Sequence, residues 1–331
     1  MKKVVFVLEE EWRGASLPDA EEAVRRYREY GVEAEFMVPG TIKYLLTEPE
    51  FVYKNLMVPG TINFLLFIAD SGRLLKALAD AGAAVCGYRH AANADERLVP
   101  ADYVLMEPQW VDRDSLTKIW QRQRDLPWTI LETDRCMIRE FVPEDIDAIC
   151  DLYDPEARRF LEAPSEDRRR EREILDSYIH KVYRLAGYGD WAVISKEDGR
   201  LIGRMGFSFP SGAWTASAAS QALQVNKEAA AKTAPAKAMA DVDALFGYLI
   251  HADMRGRGIA TEVGRAVLEY GFTQLGFESV GADTSILNRI SAKILKSFGF
   301  VPVAEEANQR YYILKKPDDD GRRTLPGSSE E

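Results

Sequence analysis

Residues 255–260, Arg-Gly-Arg-Gly-Ile-Ala, combine residue types that can hold a phosphate group. The apolar run 244–250 precedes them and the amphipathic segment 261–275 follows, which predicts a strand, a glycine-rich turn and a helix. Glycine lacks a Cβ, so successive N–H groups can turn toward one point, with the positive end of a helix dipole behind them. The turn is not a Walker loop, because no Gly-Lys-Ser/Thr follows, nor a dinucleotide fingerprint, because the third glycine is missing.

The elements that position this turn belong to the second of two patterns in the chain. At 331 residues the chain is long enough for two domains. Residues 1–127 alternate strand and helix patterns, which predicts a small Rossmann-like parallel α/β domain. An α+β pattern covers residues 128–316, with a low-complexity insertion at 210–241, and residues 317–331 are typical of a disordered tail.

Charge and composition exclude several classes of function. The net charge of −10 argues against non-specific binding to nucleic acid or to an anionic membrane. Three scattered cysteines (Cys86, Cys136 and Cys150) lack metal-ligand spacing and indicate reduced thiols. The apolar stretch at the start stops at Glu9, which is too short for a signal peptide, and no apolar run could span a bilayer. We therefore expect a cytoplasmic protein with no metal centre.

Residues 130–316 resemble the GNAT N-acetyltransferases, and among them the ribosomal-protein alanine acetyltransferase subgroup. Residues 131–135, Leu-Glu-Thr-Asp-Arg, resemble its opening strand, and residues 201–206, Leu-Ile-Gly-Arg-Met-Gly, its central hairpin. The turn matches the family's coenzyme A motif, Arg/Gln-x-x-Gly-x-Gly/Ala, and Asn288, Ser291 and Phe298-Gly-Phe300 match its next helix. The resemblance implies a mixed, mostly antiparallel sheet with flanking helices, and acetyl-CoA as the co-substrate.

The resemblance also implies how the coenzyme is held. The backbone amides of residues 257–261 would chelate its pyrophosphate, with charge-assisted contacts from the Arg255 and Arg257 side chains. The strand that carries Leu249 and Ile250 would pair with the pantetheine arm, and one of these two N–H groups is the candidate oxyanion donor. Asn288 would hydrogen-bond the arm, with a helix N-cap as the alternative. The predicted cofactor-binding residues are Leu249, Ile250, Arg255, Gly256, Arg257, Gly258, Ile259, Ala260, Thr261, Asn288 and Ser291.

The chain departs from the family at two catalytic positions. The reaction, direct attack of an amine on the thioester, needs a base for the ammonium and an acid for the leaving thiolate. Many relatives carry a glutamate and a tyrosine for these tasks, and this chain has Leu245 and Leu295 instead. Asp243 shares the strand face of Leu245 by alternation and is the candidate base. His251, next to the coenzyme turn, is the other candidate, with a turn residue as its alternative reading. Ser291 lies at the family position near the sulfur, and Tyr312 on the last strand is the candidate acid.

We therefore predict an acetyl-CoA-dependent N-acetyltransferase that acts on a primary amine, either a protein N-terminal α-amine or a small molecule. The alternative is a non-catalytic acetyl-CoA-binding sensor or regulatory module, which the leucines at the two catalytic positions favour. No metal, nucleic acid or membrane partner is expected. The oligomeric state stays open, with a homodimer among the alternatives.

The first domain has a looser resemblance. Residues 66–71, Leu-Phe-Ile-Ala-Asp-Ser, and the strand pattern at 84–88 loosely resemble haloacid-dehalogenase-like domains. The Asp-x-Asp motif expected after the first strand is absent, and Leu8-Glu9-Glu10-Glu11 stands there instead. We expect an accessory domain rather than a phosphatase. The hexapeptide Met-Val-Pro-Gly-Thr-Ile, at 37–42, recurs at 57–62 without a function that we can assign.

Overall fold

The computed structural model describes residues 1–37, 64–210 and 242–317. The chain divides into two compact units, Met1–Trp128 and Thr129–Glu331, and each has its own sheet. The second copy of the hexapeptide, most of the first copy, the insertion at 211–241 and the tail from residue 318 lie outside the described residues.

The first unit is a five-stranded parallel sheet in the order β2-β1-β3-β4-β5. This order is one of the common doubly wound orders, and it does not by itself identify a haloacid-dehalogenase-like domain. Apolar, β-branched runs form the central strands because both of their faces are covered. The strands are β1 (Lys3–Val7), β2 (Glu33–Phe36), β3 (Leu65–Ala69), β4 (Ala84–Tyr88) and β5 (Val104–Leu105).

Helices pack on both faces of this sheet. Alternate residues of β1 enter two separate clusters, in which Phe6 packs with Tyr27 and Trp120, and Val7 packs with Leu74. The α-helices among the described residues of this unit are α1 (Arg13–Glu29), α2 (Gly72–Asp80) and α3 (Arg113–Arg122). The period-2 alternation of the strand therefore divides the core into two layers.

A buried polar network joins the carboxyl ends of β1, β3 and β4. Asp70 follows β3 and is fully buried; its Oδ1 accepts the Glu9 N–H at 2.9 Å and its Oδ2 lies 3.4 Å from His90 Nε2. The Glu9 carboxylate in turn accepts hydrogen bonds from the Ser71 hydroxyl at 2.6 Å and from Arg73. Burial raises the pKa of Asp70 to about 7. Glu9 is thus a buried structural residue, whereas an acidic residue after a strand is usually solvated.

The second unit is an eight-stranded sheet in the order β12-β13-β11-β10-β9-β8-β7-β6. Neighbouring strands are antiparallel except β10 and β11, which are parallel. The predicted fold, a mixed and mostly antiparallel sheet with flanking helices, is confirmed. The strands are β6 (Thr129–Glu132), β7 (Cys136–Arg139), β8 (Asp190–Ser195), β9 (Leu201–Ser208), β10 (Ala244–Ile250), β11 (Ser279–Ser285), β12 (Val301–Glu306) and β13 (Gln309–Lys315).

Helices α6 and α7 cover one face of this sheet, which we call the α6 face. The Trp191 ring on β8 meets Tyr270 of α6 edge to face at 5.8 Å, and Phe246 on β10 meets Phe298 of α7 at 5.9 Å. The α-helices longer than one turn that the structure describes in this unit are α4 (Ile146–Asp151), α5 (Arg168–Tyr178), α6 (Ile259–Thr273) and α7 (Arg289–Phe298). A π-helical turn, Ile179–Tyr183, continues α5.

The opposite face, which we call the α4 face, is more polar. Cross-strand pairing places Asp190, Gly206 and Gly247 in one row, and Arg204 beside Leu249 in the next. Cross-strand partners project from the same side of a sheet. The α4 face of the central strands therefore carries the carboxylate of Asp190, the guanidinium of Arg204 and two glycines without side chains.

Candidate active site

The strand, turn and helix predicted from the sequence follow one another. Strand β10 ends at Ile250, a 3-10 turn covers Ala252–Met254, and α6 begins at Ile259. In the turn Gly256 has a φ of 74° and Gly258 a φ of 79°. L-amino acids other than glycine seldom adopt this left-handed conformation. Glycine is therefore needed at both positions to keep this backbone path.

The N–H groups of residues 256–261 have no hydrogen-bond acceptor in the part of the chain that the structure describes. The first amide of the helix with an acceptor is Glu262, which donates to Gly258 O at 3.0 Å. A helix leaves the N–H groups of its first turn without intrahelical acceptors. A run of such donors at a helix N-terminus suits a diphosphate, so these residues fit the anionic part of coenzyme A.

The Arg255 side chain does not take the role predicted for it. Its guanidinium binds both oxygens of Asp154 at 2.9 Å and Glu156 Oε2 at 3.3 Å, while its Nε donates to Ile250 O at 3.0 Å. A guanidinium already neutralised by a bidentate carboxylate has little left for a phosphate. The prediction of a charge-assisted phosphate contact from the Arg255 side chain is corrected: this residue ties the turn to β10 and to the segment after α4.

Arg135, which the motif analysis assigned only to the opening strand, reaches the coenzyme turn. Its Nη1 donates to Arg257 O at 2.8 Å and its Nε to Glu262 at 2.6 Å. Its Nη2 would lie 3.6 Å from a Cβ built on Gly258. The Arg257 side chain is exposed and makes no ion pair with any described residue. Arg135 is itself paired with Glu262 through Nε, so its Nη2 beside Gly258 and the Arg257 guanidinium are the cationic groups best placed for a phosphate.

Strands β10 and β11 separate next to the turn. Their pairing is limited to Ala244 with Val280 and Leu245 with Gly281. Beyond these pairs β10 keeps its hydrogen bonds to β9 on one side only. The other edge of β10 is open to an extended partner such as a chain of amides.

The backbone direction decides between Leu249 and Ile250 as oxyanion donor. His251 N–H donates to Ile202 O of the β9 side at 2.9 Å, whereas Ile250 O accepts from Arg255 instead of β9. Residues of an antiparallel strand alternate in the side to which their N–H and C=O point. Leu249 therefore points its N–H to β9, and Ile250, like Tyr248, points its N–H to the open edge.

Helix α7 and strand β10 together present three polar side chains near this edge. Asn288 caps the helix, because its Oδ1 accepts the Ser291 N–H at 3.0 Å, and its Nδ2 remains a donor. The Ser291 hydroxyl lies 3.1 Å from the hydroxyl of Tyr248 on β10. Burial raises the pKa of Tyr248 to about 12, which the bond to Ser291 partly offsets. Tyr248, which motif analysis missed as a polar group, thus forms a hydroxyl pair with a predicted residue.

Asp243 lies at the far end of β10 from the coenzyme turn. Its Oδ2 accepts the N–H groups of Glu278 at 2.8 Å and Ser279 at 2.9 Å. The 7 residues of β10 separate it from the turn, which is about 23 Å at roughly 3.3 Å per residue. The structure gives Asp243 the position of a cap on the start of β11, and its predicted role as the base stays a prediction without geometric support.

Tyr312 occupies the core, not the open edge. It has no exposed surface, and on β13 it pairs with Ala282 and Pro302. Leu295, the family position of the acid, is also buried. A proton donor must touch the leaving sulfur, so we move this predicted role from Tyr312 to the Tyr248–Ser291 pair.

Metal and membrane features are not found where the structure describes the chain. Within residues 1–37, 64–210 and 242–317, no group of three or more His, Cys, Asp or Glu side chains could hold a metal ion. Among the helices of the same ranges, none has the length and apolar character needed to cross a membrane. Cys86, Cys136 and Cys150 are buried free thiols.

Several known proteins are similar to part of this chain. Residues 135–301 match the family model described as acetyltransferase (GNAT) domain. The uncharacterized N-acetyltransferase p20 of Bacillus licheniformis is 24% identical over 172 residues, which is 51% of this chain and 81% of p20. An acetyltransferase structure from Agrobacterium tumefaciens str. C58 is 19% identical with a TM-score of 0.41, and covers 56% of this chain and 94% of its own. The ribosomal-protein-S5-alanine acetyltransferase from Vibrio fischeri is 15% identical with a TM-score of 0.41, covering 58% and 98%.

The chain belongs to the GNAT acetyltransferase family, since the family model covers half of it. It is an acetyltransferase of the class that uses acetyl-CoA as co-substrate and amines as acceptors. The family prediction made from the coenzyme turn and the Asn288 helix is therefore confirmed. The alanine-acetyltransferase subgroup stays a prediction.

Proposed function

We propose that this protein transfers the acetyl group of acetyl-CoA to a low-pKa primary amine, a protein N-terminal α-amine or a small-molecule amine, by direct attack on the thioester. The observation that carries the proposal is the run of N–H groups at 256–261, which lack acceptors among the described residues and lie beside the open edge of β10. In the GNAT family the pantetheine arm of the coenzyme pairs with an open strand edge of this kind. The competing sensor function has no observation in its favour beyond the leucines at the two catalytic positions.

The described residues divide the work of binding and chemistry. The amides of residues 256–261 hold the diphosphate, and Arg135 and Arg257 add positive charge beside it. The N–H of Ile250 stabilises the developing oxyanion. The Ser291 hydroxyl, backed by Tyr248, returns a proton to the leaving thiolate. Asn288 Nδ2 donates to an amide of the pantetheine arm.

The choice of amine follows from proton free energies. Neutralising a lysine ammonium at neutral pH costs roughly 4.6 kcal/mol, whereas an α-ammonium costs only about 1 kcal/mol. Leu245 stands at the position of the family glutamate, so the proton of the acceptor ammonium must go to a carboxylate with weaker access to the amine. A low-pKa amine therefore suits the site better than a lysine side chain.

The proposal includes a cytoplasmic location and an accessory role for the first unit. Three unpaired, buried thiols support a cytoplasmic location, because disulfides dominate in oxidising compartments. All coenzyme-binding candidates lie between residues 135 and 291, which supports an accessory role for residues 1–127. A homodimer is compatible with this arrangement.

A thermal-shift titration with acetyl-CoA, CoA, NAD and ATP tests the coenzyme assignment. We expect stabilisation by acetyl-CoA and CoA alone, by about 2.7 kcal/mol at a hundredfold excess over Kd. Gly258→Glu should abolish the shift, because it adds a negative charge and a Cβ where φ is 79°. Gly199→Glu is the matched control, since Gly199 is exposed in a hairpin turn with a φ of 72°. Equal shifts in the two variants would contradict the assignment.

The amine class is tested with two peptides of one sequence. The first has a free N-terminal alanine and no lysine, and the second has a blocked N-terminus and one lysine. We expect thiol release from acetyl-CoA to be at least about tenfold faster with the first peptide, given the difference in proton free energy. Faster release with the lysine peptide would rule out the α-amine assignment.

A further inference from the structure

Asp190 is held in place by two tyrosine hydroxyls. Its N–H donates to Tyr178 Oη at 2.7 Å, and its C=O accepts from Tyr183 Oη at 2.6 Å. The two tyrosines are five residues apart, and the π-helical turn Ile179–Tyr183 between them brings such positions to one side. A Cβ on Gly189 would lie 2.6 Å from Tyr178 Oη, so the chain fits tightly there. The main chain that carries the Asp190 carboxylate is therefore fixed in advance of any substrate.

The Asp190 carboxylate is partly enclosed on the α4 face. It forms an ion pair with Arg204, and the exposed fractions of the two side chains are 21% and 31%. Burial raises the pKa of the Asp190 carboxyl, and Arg204 acts in the opposite direction. Five charged or titratable groups surround it on the elements packed there: Arg204, Tyr178, Tyr183, Tyr153 and Glu140. A carboxylate with solvent access and a raised pKa can both accept a proton and release it to water.

Asp190 points to the side of the sheet where a base is needed. It shares a cross-strand row with Gly206 of β9 and Gly247 of β10, and Leu245 projects from the same face. No atom lies within 4 Å of a Cβ built on Gly247, so the space above β10 is open at this point. Strands β8 and β10 lie on either side of β9, so two spacings of roughly 4.8 Å separate them. This leaves room for an amine, with or without one water, between Asp190 and β10.

We propose that the Asp190 carboxylate receives the proton of the acceptor ammonium, in place of the family glutamate. This inference rests on the proposed acetyl transfer and names the base for it. The acceptor ammonium loses two protons: one to Asp190 and then to water, the other to the sulfur through the Ser291 hydroxyl. The C–N bond forms on the acetyl carbonyl carbon and the C–S bond breaks, so no other reactant is required.

Arg204 has a defined part in this arrangement. Its charge favours the ionised form of Asp190 and opposes the effect of burial, and its side chain lies next to the Tyr153 ring, with Cζ 5.7 Å from the centroid. The segment after Tyr153 carries Asp154, which binds Arg255 and through it the C=O of Ile250. The proposed base and the oxyanion donor thus lie at the two ends of one chain of contacts.

The test is the pH dependence of kcat/KM for acetylation of an alanyl peptide by wild type, Asp190→Asn, Asp190→Asn/Arg204→Gln and Asp198→Asn. Asp198 is the matched control, because it pairs with Arg200 in the exposed turn of the same hairpin. We expect Asp190→Asn to lower kcat by about a hundredfold or more, as for removal of a general base. Its rate should rise with pH across the range, and the KM for acetyl-CoA should stay within about threefold of wild type.

The double variant separates a base from a structural ion pair. If the pair only supports the fold, removing both charges restores the rate, and this outcome would overturn the proposal. A rate that stays low in the double variant, with acetyl-CoA stabilisation equal to wild type, supports it. The proposal is also overturned if Asp190→Asn has the same kcat and the same pH dependence of kcat/KM as Asp198→Asn. If the wild type does not acetylate the peptide, the proposed function is contradicted, and this inference with it. If the wild type is active and Asp190→Asn is equally active, only the role of Asp190 as the base is contradicted.

Discussion

Tyr248 and Ser291 place two hydroxyl groups where an acid for the thiolate is required. They come from β10 and α7, and their oxygens lie 3.1 Å apart. Leu295 cannot donate a proton, and Tyr312 is enclosed in the core. A serine alone is a weak acid, and a second hydroxyl that donates to it stabilises the charge that develops on its oxygen.

We expect Ser291→Ala to lower kcat by about 10- to 100-fold, and Tyr248→Phe by somewhat less, since it keeps the ring and loses only the hydroxyl. Acetyl-CoA binding, followed by thermal shift, should be unchanged in both. The effects of the two substitutions should not add in the double variant, because the hydroxyls act as one unit. Additive losses, or a Tyr248→Phe variant with full activity, would remove Tyr248 from the chemistry.

The buried Asp70 makes the stability of the first unit depend on pH. Its pKa of about 7 in the fold compares with about 3.9 in an unfolded chain, so the native state binds the proton more tightly. Stability then decreases as pH rises from about 4 to about 7 and levels off above. Burial lowers the pKa of the neighbouring His90, so His90 changes stability with pH in the opposite direction.

Asp70→Asn keeps an acceptor for the Glu9 N–H and removes the buried charge. Its gain in unfolding free energy over wild type should grow by about 1 kcal/mol between about pH 6 and about pH 8. Urea unfolding at the two pH values measures this, with the exposed Asp80→Asn as control. A gain that does not change with pH would mean that Asp70 is already ionised in the native state at pH 6.

The residues that sequence reasoning found are those whose chemistry is local. Gly256 and Gly258 take left-handed φ within one turn, so spacing alone identified them. Asp190 depends on Arg204 and on two tyrosines that a π-helical turn brings to one side, partners that ordinary helical spacing does not relate. Its position at the start of a strand is typical of a solvated residue, which is why nothing in the sequence marked it.

At the scale of elements, Arg255 links three segments: the coenzyme turn, the end of β10 and the segment after α4. The hydrogen bonds from Arg255 are the largest cause of the lowered pKa of the Asp154 carboxyl group. A lysine at 255 could reach one carboxylate oxygen but not the bidentate geometry. The link therefore positions the turn and the Ile250 N–H together.

Arg255→Lys should lower the unfolding free energy of the second unit by about 1–2 kcal/mol and raise the KM for acetyl-CoA more than it lowers kcat. Asp154→Asn should behave alike, and the double variant should lose little more than either single one. Arg200→Lys, in an exposed pair, is the control and should have no effect. Additive losses at 255 and 154 would show that the two side chains do not act through each other.

Element boundaries show where sequence patterns fail. The amphipathic pattern predicts a helix from Asp19, whereas α1 begins at Arg13 and carries Pro18 inside it. A proline normally argues against a helix interior. Here Ser16 and Ala20 are buried and packing outweighs the lost hydrogen bond. The two sheets, in contrast, follow from the alternation of apolar runs, because their strands must bury both faces.

At the scale of the molecule, the two units have separate cores. Both clusters of the first unit consist of residues from its own strands and helices. The coenzyme candidates all lie in the second unit. Coenzyme binding should therefore stabilise one unit and leave the other as it is.

Hydrogen exchange with and without CoA measures this. We expect slower exchange for the amides of the turn and of β10, and no change in β1, β3 and β4. Gly258→Glu should cancel the protection. Equal protection of the strands of the first unit would contradict the assignment of an accessory role to that unit.

The central claim is acetyl transfer to an α-amine, and it is tested most directly by incubating the wild type with acetyl-CoA and an alanyl peptide and then measuring the peptide by fragmentation mass spectrometry. We predict one acetyl group on the N-terminal nitrogen, formed at a rate that depends on enzyme concentration and is lost in Gly258→Glu. An unmodified peptide, with CoA binding intact, would contradict α-amine transfer.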